Sequence, residues 1–271
     1  MEQVAFYTLK LTLGTRDDIL REIDEWLVGS VSRQLFFLNA HCFNLSLKVR
    51  MYHDALSSAD MVLNDGSGIA FAARIGRVQL SGNLNGTDLI PLVIAHAAKF
   101  GSKLYLLGGK PGVAALATRK IANLWPDVRV VGVHDGYFDR TEERRVIDEI
   151  RELKVNLLIV AMGVPRQELW LLQHRTELDS VSLSIAGGAV LDFISDTVRR
   201  APVWMRRAGV EWVYRLWLEP GRMWRRYLIG NLTFVWNVFR LRGTHLKAQW
   251  KTSRSRKEES PDDRNWAGRP G

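Results

Sequence analysis

Six short, continuous apolar runs constrain this chain more than any other feature. They fall at 35–38 (LFFL), 59–63 (ADMVL), 103–107 (KLYLL), 128–133 (VRVVGV), 155–161 (VNLLIVA) and 181–186 (VSLSIA). Each is the length of a strand, and none alternates with polar residues, the pattern of strands covered on both faces of a parallel sheet. Helical periodicity fills the gaps at 16–28, 41–57, 67–75, 87–100, 111–124, 141–153 and 165–176. Several of these helices have start signals: Thr15 before Asp17-Asp18, Thr87-Asp88, and Thr141 before Glu142-Glu143. Strands alternating with helices predict an α/β fold with a Rossmann-like, doubly wound, mainly parallel sheet. Ligands of such sheets bind beyond the carboxyl ends of the strands.

The alternation stops near Arg199. From there to about residue 250 the segments are helical and rich in Arg and Trp. Between Arg199 and Arg242 there are ten arginines against two acids, Glu211 and Glu219, and five of the ten tryptophans. The expected organisation is an α/β core at 1–198, a C-terminal Arg/Trp-rich helical appendage at 199–250, and a disordered tail at 251–271, where polar and charged residues mix with Pro and Gly. A net charge of +9 concentrated in one segment points to an anionic partner: membrane headgroups, diphosphates or nucleic acid. The segment reads as a mobile lid that docks on the bilayer and folds over Asp65, with a packed helical layer as the alternative. Apolar residues at 46% suit a large core, and the single cysteine, Cys42, excludes an intrachain disulfide framework and suits a reducing cytoplasm. MEQVAFYTLKLTLG lacks a basic region followed by an apolar block, so no signal peptide is expected. No run reaches the ~18 apolar residues of a spanning helix.

Four strand ends carry polar or glycine residues. In VLNDGSGIAFAAR, Asp65 sits where a buried strand turns into a helix. It reads either as a general base at the mouth of the sheet or as an ordinary helix N-cap. In LLGGKPGVAALA, Gly108 and Gly109 (with Gly112) allow a backbone to approach an anion at a helix N-terminus, or simply make a tight turn. In HDGYFD, Asp135 and Tyr137 read as a base or ribose contact, or as an Asp-Gly turn. In MGVPRQELW, Gln167 points into the crevice, or else the Arg166-Gln167-Glu168 stretch is a solvated first turn. The six histidines are scattered and there is no Asp-x-Asp, so neither a metal site nor a cofactor is expected. No G-x-S-x-G and no Cys/His pair argues for a covalent nucleophile.

The blocks LNDGSGIAFAAR, GTDLI, LYLLGGKPGVA, IVAMGVPRQELWLLQHR and the segment from IAGGAVLDF to YLIGN resemble, in order and over residues 35–231, the WecG/TagA/CpsF glycosyltransferases. The resemblance implies an inverting, metal-independent transfer of a sugar from a UDP-sugar to a polyprenyl-diphosphate-linked sugar. That reaction belongs to cell-surface polysaccharide biosynthesis, on a protein peripheral to the cytoplasmic face of the cell membrane. Asp65 matches the family's proposed base, Gln167 a residue beside the donor sugar, and Asn39 the asparagine of a Thr-x-Asn stretch. Arg215, Arg222 and Arg225 match arginines thought to reach the diphosphate. Phe37 stands in place of that threonine, and Asn83 in place of an arginine of the teichoic-acid members. NAHCFN resembles an exopolysaccharide branch, which implies glucose or a uronic acid as donor sugar. The partners expected are therefore a UDP-sugar, a lipid-diphosphate acceptor and an anionic membrane surface, with no nucleic acid; a homo-oligomer is compatible with the sequence. The rival class, a basic module binding anionic lipid or nucleic acid without turnover, leaves the strand-end residues without a role.

Overall fold

The computed structural model describes residues 1–258, apart from the side chains of Arg207, Arg222 and 248–258. A hairpin of β1 (Glu2–Phe6) and β2 (Leu9–Leu13) leads into α1 (Arg16–Val28) and β3 (Arg33–Leu38). Then come α2 (Ala40–Ser46), α3 (Arg50–Ser58), β4 (Met61–Asn64), α4 (Gly66–Gly76), α5 (Gly86–Lys99), β5 (Lys103–Gly108) and α6 (Val113–Leu124). β6 (Arg129–His134), α7 (Arg140–Glu152), β7 (Leu157–Ala161), α8 (Arg166–Gln173), β8 (Leu183–Ala186) and α9 (Val190–Ile194) complete the alternating part. The chain continues through α10 (Val203–Arg207), α11 (Glu211–Leu218), α12 (Pro220–Trp224), a π-helical turn (Arg225–Ile229) and α13 (Gly230–Glu258).

All six predicted strands form, and they make one parallel sheet in the order β4-β3-β8-β7-β5-β6. The interior strands β8 and β7 are buried from end to end, as their unbroken apolar runs require. One face is covered by α1, α5, α6 and α9 through Ile19, Ile90, Ala117 and Leu191, among others. The other is covered by α2, α3, α4, α7, α8 and α13, with Phe43, Tyr52, Ile69, Ile147, Leu171 and Phe234 in its core. From β5 the chain passes to β6 on one side; from β7 it passes to β8 on the other. β5 and β7 therefore flank a topological switch point, where the crevice of such a sheet opens.

Three features differ from the sequence reading. The β1–β2 hairpin was not anticipated; it buries Phe6 and Leu11 through a short alternating pattern. Its turn holds Tyr7 in the left-handed region (φ 57°), a place where Asn or Gly is the usual signal. The predicted helix 41–57 is two helices, because the chain turns at Leu47–Val49, with the Lys48 and Val49 N–H groups both donating to the Leu45 carbonyl. α13 continues to Glu258, beyond the expected start of the tail, and residues 259–271 lie outside the described residues.

Over residues 230–245, α13 packs onto the rest of the fold. Phe234 and Val238 lie in the sheet's core, and the buried Asn237 donates to Asn44 Oδ1 (3.0 Å), while Asn44 donates to the Gly230 carbonyl (2.8 Å). Farther along, His245 Nδ1 accepts from the Tyr7 N–H (3.1 Å) and its ring stacks on that of Tyr7. By contrast, none of the residues of α11 or of the π-helical turn is buried.

Candidate functional site

The parallel sheet brings every predicted strand-end residue to one edge. Asn39 follows β3, Asp65 follows β4, Gly108 and Gly109 end β5, Asp135 and Tyr137 follow β6, and Gln167 opens the helix after β7. At the β3–β4 end the geometry is specific. Asn39 caps α2, its Oδ1 accepting from the His41 and Cys42 N–H groups (3.1 Å each), while its Nδ2 reaches Asp65 Oδ2 (3.4 Å). Asp65 occupies the N-cap position of α4, yet its side chain makes no capping hydrogen bond. The Gly66 N–H instead donates to Asn83 Oδ1 (2.9 Å). The ordinary N-cap reading of Asp65 is thus overturned, and its carboxylate is turned to the Asn39 amide instead.

Burial is the main cause that pushes the Asp65 carboxyl above its usual range. The Asn39 amide and the Arg215 and Arg226 guanidinium groups oppose that shift, and the nearby Glu211 reinforces it. A carboxylate held this way binds a proton more tightly than a solvated one, while the Asn39 amide and two guanidinium groups favour its charged form.

The appendage meets this edge directly. The Ser67 hydroxyl donates to the Gly209 carbonyl (2.9 Å), and Arg200 and Arg206 reach Asp88 of the GTDLI block (2.7 and 3.5 Å). Arg215 lies over the Phe193 ring (4.7 Å) and near Glu211 (3.9 Å). Arg225 is exposed over Trp224, and its neighbour Arg226 is the one whose charge acts on Asp65, His41, Cys42 and Tyr52. The sequence reading did not single out Arg226, which follows Arg225 in the π-helical turn. The Arg222 side chain lies outside the described residues. His41 is held down to about 4 by burial and by Arg226 and Lys48, so it is neutral near pH 7.

At the switch point the glycines tie turns together. A Cβ on Gly108 would lie 2.4 Å from the Ala161 carbonyl, the Gly109 N–H donates to that carbonyl (3.0 Å), and the Gly136 N–H donates to Gly109 (3.0 Å). Asp135 Oδ1 accepts from the Tyr137 N–H (2.8 Å), an Asx turn that leaves the Tyr137 ring exposed at the rim. Phe37 is buried with its ring against Gly86, where even a Cβ would come within 3.0 Å.

The solvated-turn reading of MGVPRQELW is also overturned: Gln167 and Glu168 are 2% and 1% exposed. The sequence held the signal, since Gln167 and Glu168 stand three to four residues before Trp170 and Leu171, on the buried face of α8. Gln167 Oε1 accepts from the N–H groups of Gly163 (3.1 Å) and Gly188 (3.0 Å), and its Nε2 donates to Glu168 Oε1 (2.9 Å). Burial raises the Glu168 carboxyl from 4.5 to about 7. Below about pH 4.5 the group is protonated folded and unfolded, so its burial costs little. Above about 7 it is ionised in both states, and the folded state then bears the full penalty, about 3 kcal/mol. Glu168→Gln is therefore expected to gain stability over the parent chain as pH rises, the difference widening by about 3 kcal/mol between pH 4 and pH 8. Urea unfolding at both pH values checks this; a difference independent of pH would remove the assignment.

Among the described residues no three His, Cys, Asp or Glu side chains gather as a metal-ligand set, and no helix is long and apolar enough to cross a membrane. The model of the Glycosyl transferase WecG/TagA/CpsF family matches residues 4–248. An N-acetylglucosaminyldiphosphoundecaprenol N-acetyl-beta-D-mannosaminyltransferase of Bacillus subtilis (strain 168) is 35% identical over 184 residues, covering 68% of this chain and 70% of that protein. A protein of the same name from Bacillus spizizenii (strain ATCC 23059 / NRRL B-14472 / W23) is 30% identical over 177 residues, 65% of this chain and 67% of its own length. With the family model matching nearly its whole length and a relative at 35% identity, the chain belongs to the WecG/TagA/CpsF family and is a glycosyltransferase.

Proposed function

We propose that the chain transfers a sugar from a UDP-sugar to a polyprenyl-diphosphate-linked sugar, with inversion and without a metal, at the cytoplasmic face of the membrane during cell-surface polysaccharide synthesis. The observation that carries the reading is the Asp65 carboxylate, relieved of capping, steadied by Asn39 and raised in basicity at the crevice mouth. Asp65 takes the proton from the acceptor hydroxyl as its oxygen bonds to the anomeric carbon and the bond to UDP breaks. A single displacement of this kind inverts the configuration. Arg215 and Arg226 stabilise the diphosphate charge, the work that Mg²⁺ performs in other transferases.

The relatives' names give the acceptor class, a sugar on a diphosphate-linked polyprenol, and give N-acetylmannosamine as the sugar those enzymes transfer. Trp204, Trp217, Trp236, Leu232 and Phe239 are exposed, as are Arg225, Arg240 and Arg242 of the same C-terminal segment. Aromatic and apolar side chains mixed with arginines suit docking on anionic lipid, where each charge contributes roughly 1 kcal/mol. Phe37 is buried against Gly86 and Asn83 accepts from the Gly66 N–H beside Asp65, which leaves the donor to be found by screening. The test combines purified UDP-sugars, UDP-N-acetylmannosamine and UDP-glucose among them, with a synthetic lipid-diphosphate N-acetylglucosamine acceptor and EDTA. Product is expected from one donor with EDTA present. Strict dependence on Mg²⁺ or Mn²⁺ would refute the metal-free reading, and absence of UDP binding by calorimetry would refute the donor class.

A further inference from the structure

Glu168 is a carboxyl that the reaction above does not use. It is 1% exposed, and one of its oxygens, Oε2, has no hydrogen-bond partner among the described residues. Burying such a group is expensive, and an apolar side chain of similar size would pack at less cost. Its other oxygen accepts from Gln167 Nε2 (2.9 Å). The same amide's oxygen receives two backbone N–H groups, from Gly163 in the loop after β7 and from Gly188 in the loop after β8. Both glycines have positive φ, 83° and 59°, and each loop gives one N–H to that same oxygen, beside backbone bonds such as Gly187 N–H to the Val160 carbonyl (2.7 Å). An amide has a donor end and an acceptor end, and rotating it by half a turn would set NH₂ against two N–H groups. A fixed acceptor on the donor side forbids that rotation.

We propose that Glu168 is a positioning residue: it fixes the orientation of the Gln167 amide and thereby holds the Gly163 and Gly188 loops in the geometry that the sugar-transfer crevice needs. The inference rests on the reading of this edge as the transfer site. What matters is the acceptor oxygen, not the charge. Glu168→Gln keeps an oxygen facing Gln167, while E168M and the smaller E168A remove it.

The test reads amide hydrogen exchange at Gly163 and Gly188 without substrate, and steady-state transfer with it. E168Q is expected to keep both amides protected and transfer within about threefold of the parent rate. E168M is expected to melt at or above the parent temperature, because a buried charge is gone. It should nonetheless exchange both amides about tenfold faster or more, and lose about tenfold or more in kcat, as misplaced site groups do. E168A carries the same expectation for exchange and kcat should the methionine variant fail to fold. A merely structural carboxyl predicts the opposite pairing, with activity following stability. Parent-like exchange and turnover in E168M or E168A would overturn the proposal, and so would an E168Q as impaired as E168M, since charge would then be the need. A parent chain that transfers no sugar would overturn the reading of the reaction, and the exchange data would still decide the positioning role.

Discussion

Asp65→Asn is expected to lower sugar transfer by about 10²-fold or more while leaving the fold and UDP affinity near those of the parent chain. The size of the loss follows from what the side chain does. It makes no capping bond in α4, so little stability depends on its charge. Asparagine can still accept from Asn39 Nδ2 through its own oxygen, so the local geometry survives. What disappears is the capacity to take a proton. Steady-state transfer and UDP calorimetry on the same preparation check both halves, and turnover near the parent rate would sink the base assignment. A pH prediction accompanies it. Only the ionised carboxyl serves as base, and its proton affinity is raised by burial. The acid limb of the rate profile should therefore lie above the range of an ordinary aspartate, near 3.8, and should vanish in the asparagine variant.

A chain ending at Ile229 is expected to lose cooperative folding altogether. α13 places Phe234 and Val238 in the core, and removing one large buried side chain typically costs about 3–5 kcal/mol. The cut also takes away the Asn237–Asn44 hydrogen bond and the His245 contact with the β1–β2 hairpin. Against a total stability of about 5–15 kcal/mol, little would remain. A chain ending at Arg200 would fare no better, although a lid would have come away without harm. Thermal unfolding by circular dichroism and limited proteolysis distinguish the outcomes. A soluble, cooperatively melting product would show that α13 is dispensable, contrary to its packing.

The sheet was legible because its signal is repeated: LFFL, KLYLL and VNLLIVA each read as buried strands, and parallel strands then send their next residues to one edge. Asn39 and Asp65 were findable for that reason, helped by the family's motifs. What the residues did not disclose were states fixed by tertiary partners. Whether Asp65 caps its helix depends on Asn83, eighteen positions away. Whether Gln167 faces solvent or staples two loops depends on Gly163 and Gly188, the second of which sits after another strand. Arg225 and Arg226 are neighbours of the same chemistry, and only the folded chain shows that the charge of Arg226 acts on Asp65. The hairpin went unread because Tyr7 occupies a backbone conformation that usually calls for Asn or Gly.

The pairing of β3 with β8 brings Arg33 beside Leu183, and α13 adds a contact from still later in the chain. Contacts so far apart in sequence are slow to form, and during synthesis they must wait for the ribosome. Through most of its translation the nascent chain therefore holds LFFL and its neighbours without their central partner, an apolar surface suited to a holding chaperone. The edge that carries Asn39 and Asp65 becomes rigid only after β8 emerges, and the layer beneath it only after α13. A chain stopped before α13 would lack the Phe234 and Val238 side chains that close the core on that face.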